Sequence, residues 1–124
     1  MKIFVDASLI IYLNIRLLER EARAIEDFYR NLLGEELYTD VLVLDEAIYM
    51  SKKKYGVLVG DTLELIDRAI LPYVDVLPLT VGEYLLKYIL NPSDALHLAV
   101  MDNFKIQAIA TEDKDFDRTH AKRI

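Results

Sequence analysis

Five carboxylates stand where they could act together: Asp6, Glu46, Asp94, Asp113 and Asp115. Asp6 ends the apolar run KIFVD at 2–6, and Asp113 and Asp115 follow the run QAIAT at 107–111. Asp94 opens the stretch PSDALHLAVMDN, which is apolar over most of its length. Glu46 lies inside VLVLDEAIYMSKKKYG among Val43, Leu44, Ala47 and Ile48. Asp45 and Glu46 point roughly 100° apart around a helix axis, so at most one of them faces a shared site. Two unit charges 4 Å apart repel by about 4 kcal/mol at an effective dielectric near 20. Neighbouring carboxylates therefore take up protons or hold a cation. With no Cys and no paired histidines, the donors are oxygens, which selects Mg²⁺ or Mn²⁺ over zinc. Such ions orient a phosphodiester, activate water and stabilise the charge of in-line displacement, so metal-dependent phosphodiester cleavage is the expected chemistry.

Each acid also has a local explanation. Asp6 could cap the helix that follows it, Glu46 could be a solvated helix charge, and Asp94 could answer the positive end of its helix dipole. Acids in TEDKDF could lie on a turn that meets only water. What separates these readings from a site is whether the fold brings the carboxylates to one place.

The elements that must do so follow from hydrophobic periodicity. KIFVD reads as a buried strand, and Ser8 to Asn14 as a helix. From Arg16, the spacing of Leu17, Leu18, Ala22, Ile25, Phe28, Tyr29, Leu32 and Leu33 predicts an amphipathic helix stopped by Gly34. LYT at 37–39 is a short strand, and Asp40 caps a helix that breaks at Gly56. Val57 to Ile70 is a further helix closed by Pro72, and YVDVLPL at 73–79 is a strand. Thr80 caps a helix to about Leu90, Asn91-Pro92 turns the chain, Ser93 to Asn103 is helical, and QAIAT is a strand before a polar tail. Strands alternating with helices imply parallel pairing through right-handed crossovers. The expected architecture is a three-layer α/β/α sandwich around a central, mainly parallel sheet, with residues 1–124 as a single domain. In such sheets the ligand site lies beyond the carboxyl ends of the strands, where Asp6 and Asp113 fall.

Charge and composition bound the partners. The formal net charge of −6 is the wrong sign for simple capture of nucleic acid. Arg118, His120, Lys122 and Arg123 form the best candidate for an RNA-facing patch. MKIFVDASLI lacks the uncharged core of a secretory signal, and no apolar run approaches a membrane span, so a soluble, cytoplasmic protein without a membrane partner is expected. His97, one turn from Asp94, reads as a hydrogen-bonded structural histidine and is left outside the site. The tyrosines, at helical spacing, read as core or interface before base-stacking groups.

FVDASLI, VLVLDEAIY, PSDALHLAV and ATEDKDF, in this order, resemble the four motifs of the PIN-domain nucleases, most closely the VapC toxins of toxin–antitoxin pairs. The resemblance spans nearly the whole chain, because the spacing and the strand VDVLPL also match. It implies that Asp6, Glu46, Asp94 and Asp113 are metal-binding acids, with Asp115 the second acid of the last motif. It further implies that Ser8 supports the first Asp and that Thr111 is the hydroxyl before the last acid. The implied activity is that of an endoribonuclease using Mg²⁺ or Mn²⁺, restrained by a small antitoxin whose helix docks between the first two helices, in a homodimer. Glu112 departs from the pattern, standing where the family often carries a basic residue. Two alternatives remain: a PIN fold kept as a non-catalytic RNA- or protein-binding module, and a phosphoacceptor receiver domain. For the receiver, Asp40 and Lys105 are poor fits.

Overall fold

Apolar β-formers in unbroken runs mark strands covered on both faces. The computed structural model describes residues 1–15, 17–78 and 92–124, and builds its sheet from such runs. Strands β1 (Lys2–Val5), β2 (Glu36–Asp40), β3 (Val74–Leu77), β4 (Ala108–Ala110) and β5 (Lys122–Arg123) lie in the order β3-β2-β1-β4-β5. Every neighbouring pair is parallel, so the sheet is wholly and not just mainly parallel. Phe4, Val5 and Ile109, in the two central strands, are fully buried. Burial of each large apolar side chain contributes roughly 1.5–3 kcal/mol.

Helices flank this sheet: α1 (Ala7–Asn14), α2 (Glu19–Leu32), α3 (Val41–Tyr55), α4 (Val59–Leu65) and α5 (Pro92–Asn103). The first amphipathic helix begins at Glu19, three residues later than its spacing predicts. Ile15 and Leu18 are extended between α1 and α2, and Glu19 and Glu21 occupy the first turn, where the helix dipole favours acids. α3 matches expectation at both ends. The Asp40 side chain accepts from the Val43 amide at its start, and Gly56 closes it at φ +69°, a left-handed conformation that costs little without a Cβ. The helix expected over 57–70 is shorter and ends in a widened turn over Ile66–Ile70, where the Leu71 amide reaches back to the Ile66 carbonyl at 2.9 Å. Tyr29 of α2 donates its hydroxyl to the Ala69 carbonyl of that turn, and burial pushes its phenol up to about 12. The helix expected from Thr80 and the Asn91 turn lie outside the described residues.

The chain leaves β1 for β2 and β3 on one side, then returns to place β4 and β5 on the other. The order reverses between β1 and β4, which makes the crevice beyond their carboxyl ends the place to look for a site. Past β4, a tight 3₁₀ turn, Lys114–Arg118, is pinned by the fully buried Phe116. β5 then supplies the short terminal strand that THAKRI allows, with the Ile124 amide donating to the Ile109 carbonyl at 3.0 Å.

Candidate metal centre

Asp6 follows β1 directly, and its amide donates to the Ala110 carbonyl at the end of β4 at 3.1 Å. Its position is that of an N-cap to α1, but its side chain makes no cap hydrogen bond. The carboxylate is instead buried and turned to β4, where Thr111 donates its hydroxyl to Asp6 Oδ2 at 2.7 Å. The same Thr111 oxygen accepts from the Asp113 amide at 3.0 Å, so one hydroxyl holds the first acid and the backbone of the last. Ser8 Oγ accepts from the Glu112 amide at 3.1 Å, tying α1 to the segment after β4. The bonds from Asp6 and Ser8 reach residues about a hundred positions away.

Four of the five acids converge there. Glu46 of α3 is exposed as a residue, but its carboxyl is crowded. Desolvation and the charges of Asp6, Asp113 and Asp40 push it up, against a smaller pull downward from His97. Asp94, in the first turn of α5, is buried, and its carboxyl is pushed up to about 7 by burial first and then by the charges of Asp6, Asp113 and Glu46. A helix N-terminus lowers an acid by an effect of about 0.3–1 kcal/mol. A rise from near 4 to about 7 corresponds to several times that, so burial, reinforced by the neighbouring carboxylates, outweighs the dipole. The dipole alone does not account for Asp94.

Asp115 stands apart from this group. Its amide caps onto Asp113 Oδ1 at 2.9 Å, while its own exposed carboxylate pairs with Arg118 at 3.1 Å. Of the two acids in the last motif, Asp113 faces the others.

His97 belongs to the same neighbourhood. It is fully buried, packs against Phe4 with ring centroids 5.4 Å apart, and places Nδ1 2.6 Å from Asp40 Oδ2. The expected structural hydrogen bond is present. Its partner, 57 positions away, had no local signal in the sequence. Burial lowers the imidazole, but the hydrogen bond and charge of Asp40, with Asp6 and Asp94 beyond, raise it overall. Among the described residues, Asp6, Glu46 and His97 each offer one ligand atom within 4.8 Å of the others. Asp6 Oδ1 and His97 Nε2 are both buried without a hydrogen-bond partner. A divalent cation fits this chemistry, since a buried acceptor left unpaired is costly and a carboxylate cluster needs positive charge.

The expected RNA-facing patch is largely neutralised by the chain's own acids. Arg118 pairs with Asp115, His120 with Asp102 at 2.6 Å, and Arg123 with Asp117 at 2.9 Å. A cleft of about 390 Å³ opens beside the acids, between α1, α2 and the end of β4, lined by Leu9, Tyr12, Ile25, Phe28, Glu112 and Lys114 among others. It adjoins the acidic crevice without containing it. Among the described residues no helix is long and apolar enough to cross a membrane.

A parallel sheet with acids gathered at its reversal point defines an α/β domain with a candidate site for a divalent metal ion. The family is definite as well: the PIN domain model matches residues 3–122, and the chain belongs to the PIN-domain family. PIN domains are in general metal-dependent nucleases, so the family supplies nuclease chemistry and this chain's acids supply a candidate metal site. Comparison with curated proteins gave no match.

Proposed function

We propose that the chain is a Mg²⁺- or Mn²⁺-dependent endoribonuclease that hydrolyses RNA phosphodiester bonds, acting in the cytoplasm as the toxin of a VapC-type toxin–antitoxin pair. Asp6, Glu46, Asp94 and Asp113 hold the ion in this reading, with Ser8 and Thr111 as their supports. The observation that carries it is the cluster of donors beyond the strand ends, where Asp6, Glu46 and His97 each offer a ligand atom within 4.8 Å of the others, in a chain of the PIN family. When bound, the ion supplies positive charge to orient the phosphodiester and stabilise the charge of in-line displacement.

The protein's own part is to hold the acids without reorganisation. Thr111 fixes Asp6 by its Oδ2 and leaves Oδ1 as a buried acceptor. The buried body of α5 fixes Asp94, and the turn anchored by Phe116 fixes Asp113. Glu46, exposed, forms the solvent side of the site. The apolar cleft between α1 and α2, with Leu9, Ile25 and Phe28 in its walls, suits an antitoxin helix presenting an apolar stripe. Leu58, just before α4, and Val59 and Leu63, on α4, are exposed apolar residues that a second copy in a homodimer would cover. In this reading residues 1–124 act as one PIN domain.

The test is cleavage of defined RNAs, beside matching DNAs, with Mg²⁺ or Mn²⁺, comparing the native chain with Asp6→Asn and Asp94→Asn. Native-only cleavage of RNA supports the proposal. Equal cleavage by all three identifies a contaminant, and metal binding without any cleavage favours the binding module.

A further inference from the structure

Asp40 has both carboxylate oxygens committed. Oδ1 accepts from the Val43 amide at 3.0 Å, and Oδ2 lies 2.6 Å from His97 Nδ1. A carboxylate only accepts, so Nδ1 carries the hydrogen of this bond, and a neutral imidazole then presents a bare lone pair at Nε2. The Nε2 atom is fully buried and has no hydrogen-bond partner. Asp6 Oδ1 is likewise buried and unpartnered. Two unpartnered acceptors, held in one buried site by separate elements, call for a shared positive centre.

We propose that His97 Nε2 is a nitrogen ligand of the metal centre beside Asp6 and Glu46, with Asp40 as the positioning residue that sets its tautomer and orientation. This deepens the metal-dependent reading above and rests on it. The spacing is close to that of a first coordination shell: donors about 2.1–2.2 Å from one ion lie at most about 4.4 Å apart, and the three offered here fall within 4.8 Å of one another, so side-chain shifts of a few tenths of an ångström suffice to close them on one ion. The carboxylate–histidine–metal arrangement recurs because the outer acid orients the ring and raises its basicity. An imidazole also changes which ion is preferred. Mg²⁺ favours an all-oxygen, partly hydrated shell, whereas transition ions accept a nitrogen donor readily, so the site is biased toward Mn²⁺.

The chain has only two histidines, which makes an isotopic test clean. Protein labelled with [¹⁵N]histidine is loaded with Mn²⁺, and nitrogen hyperfine coupling to the ion is read by pulsed electron paramagnetic resonance. Coupling in the native chain, kept in His120→Asn and lost in His97→Gln, is the expected result. Calorimetry should show Mn²⁺ affinity falling by about 10–100-fold in His97→Gln, with a smaller loss for Mg²⁺. The native and His120→Asn measurements stand even if His97→Gln does not fold. Mn²⁺ bound without histidine coupling, or coupling that disappears in His120→Asn, overturns the assignment and leaves the nuclease reading intact. Failure of the native chain to bind Mn²⁺ or Mg²⁺ overturns both.

Discussion

Two groups of carboxylates in this molecule have opposite surroundings. Asp102, Asp115 and Asp117, on α5 and the C-terminal segment, each meet a basic side chain of the same chain: His120, Arg118 and Arg123. Asp6 and Asp113, just past strand ends, and Glu46, on α3, form no ion pair with Lys or Arg among the described residues, and with Asp94 they crowd one another. Asp117 is held below the usual range by its hydrogen bond to Arg123, while Asp94 is pushed up to about 7. Both groups are carboxylates, and what differs is whether the chain itself supplies a basic counter-charge.

The comparison breaks most sharply on activity. Asp6→Asn and Asp94→Asn should each reduce Mn²⁺-supported RNA cleavage by on the order of 10²–10³-fold, while Asp117→Asn stays within about twofold, with circular dichroism verifying the fold of all three. Equal losses across the two groups would erase the distinction.

Next in size is the metal-free stability of the native chain. Asp94 has a raised folded value, so its contribution is complete below the unfolded value near 4 and is lost as pH rises through about 7. At pH 8 without metal, Asp94→Asn should therefore be more stable than the native chain by roughly 2 kcal/mol, the gain vanishing toward pH 4. Denaturant melts across pH measure this. Saturating Mn²⁺ should stabilise the native chain, by about 2.7 kcal/mol at a hundred times Kd, and the variant less.

Thr111→Val probes the scaffold beneath the acids. The substitution keeps shape but removes the donor to Asp6 Oδ2 and the acceptor of the Asp113 amide. About 1 kcal/mol of stability and roughly tenfold of cleavage should go with it, read by melting and by initial rates. The smallest effect belongs to the solvated pairs. The contribution of Asp117 has the reverse sign to that of Asp94, present above the unfolded value and lost as pH falls through its lowered one. Arg123→Gln should lower the melting temperature slightly, and high salt should abolish the difference.

Much of this was legible in order along the chain. IFV and AIA marked buried strands, and Asp6 and Asp113 stood just past the strands that became β1 and β4. Four motifs in sequence order pointed to the PIN family, to which the chain belongs. The acidity at Glu112 and the net charge were equally plain. Hydrophobic runs and charge are local properties, and a strand buried on both faces needs the former whatever its neighbours are.

Only the tertiary structure decided which charges meet. Asp113 faces the other acids and Asp115 turns to Arg118, a choice made by the 3₁₀ turn that Phe116 anchors. The basic residues of the tail, which composition alone offered as an RNA-facing patch, are largely answered by Asp102, Asp115 and Asp117. His97 was readable as a hydrogen-bonded core histidine, but its partner Asp40 had been assigned the cap of α3, a role that uses one oxygen and leaves the second for the imidazole. Periodicity reports which face of an element is apolar and cannot report which distant side chain will stand opposite. That is set by the strand order, which brings the ends of β1 and β4 together and leaves four carboxylates and a histidine around one crevice.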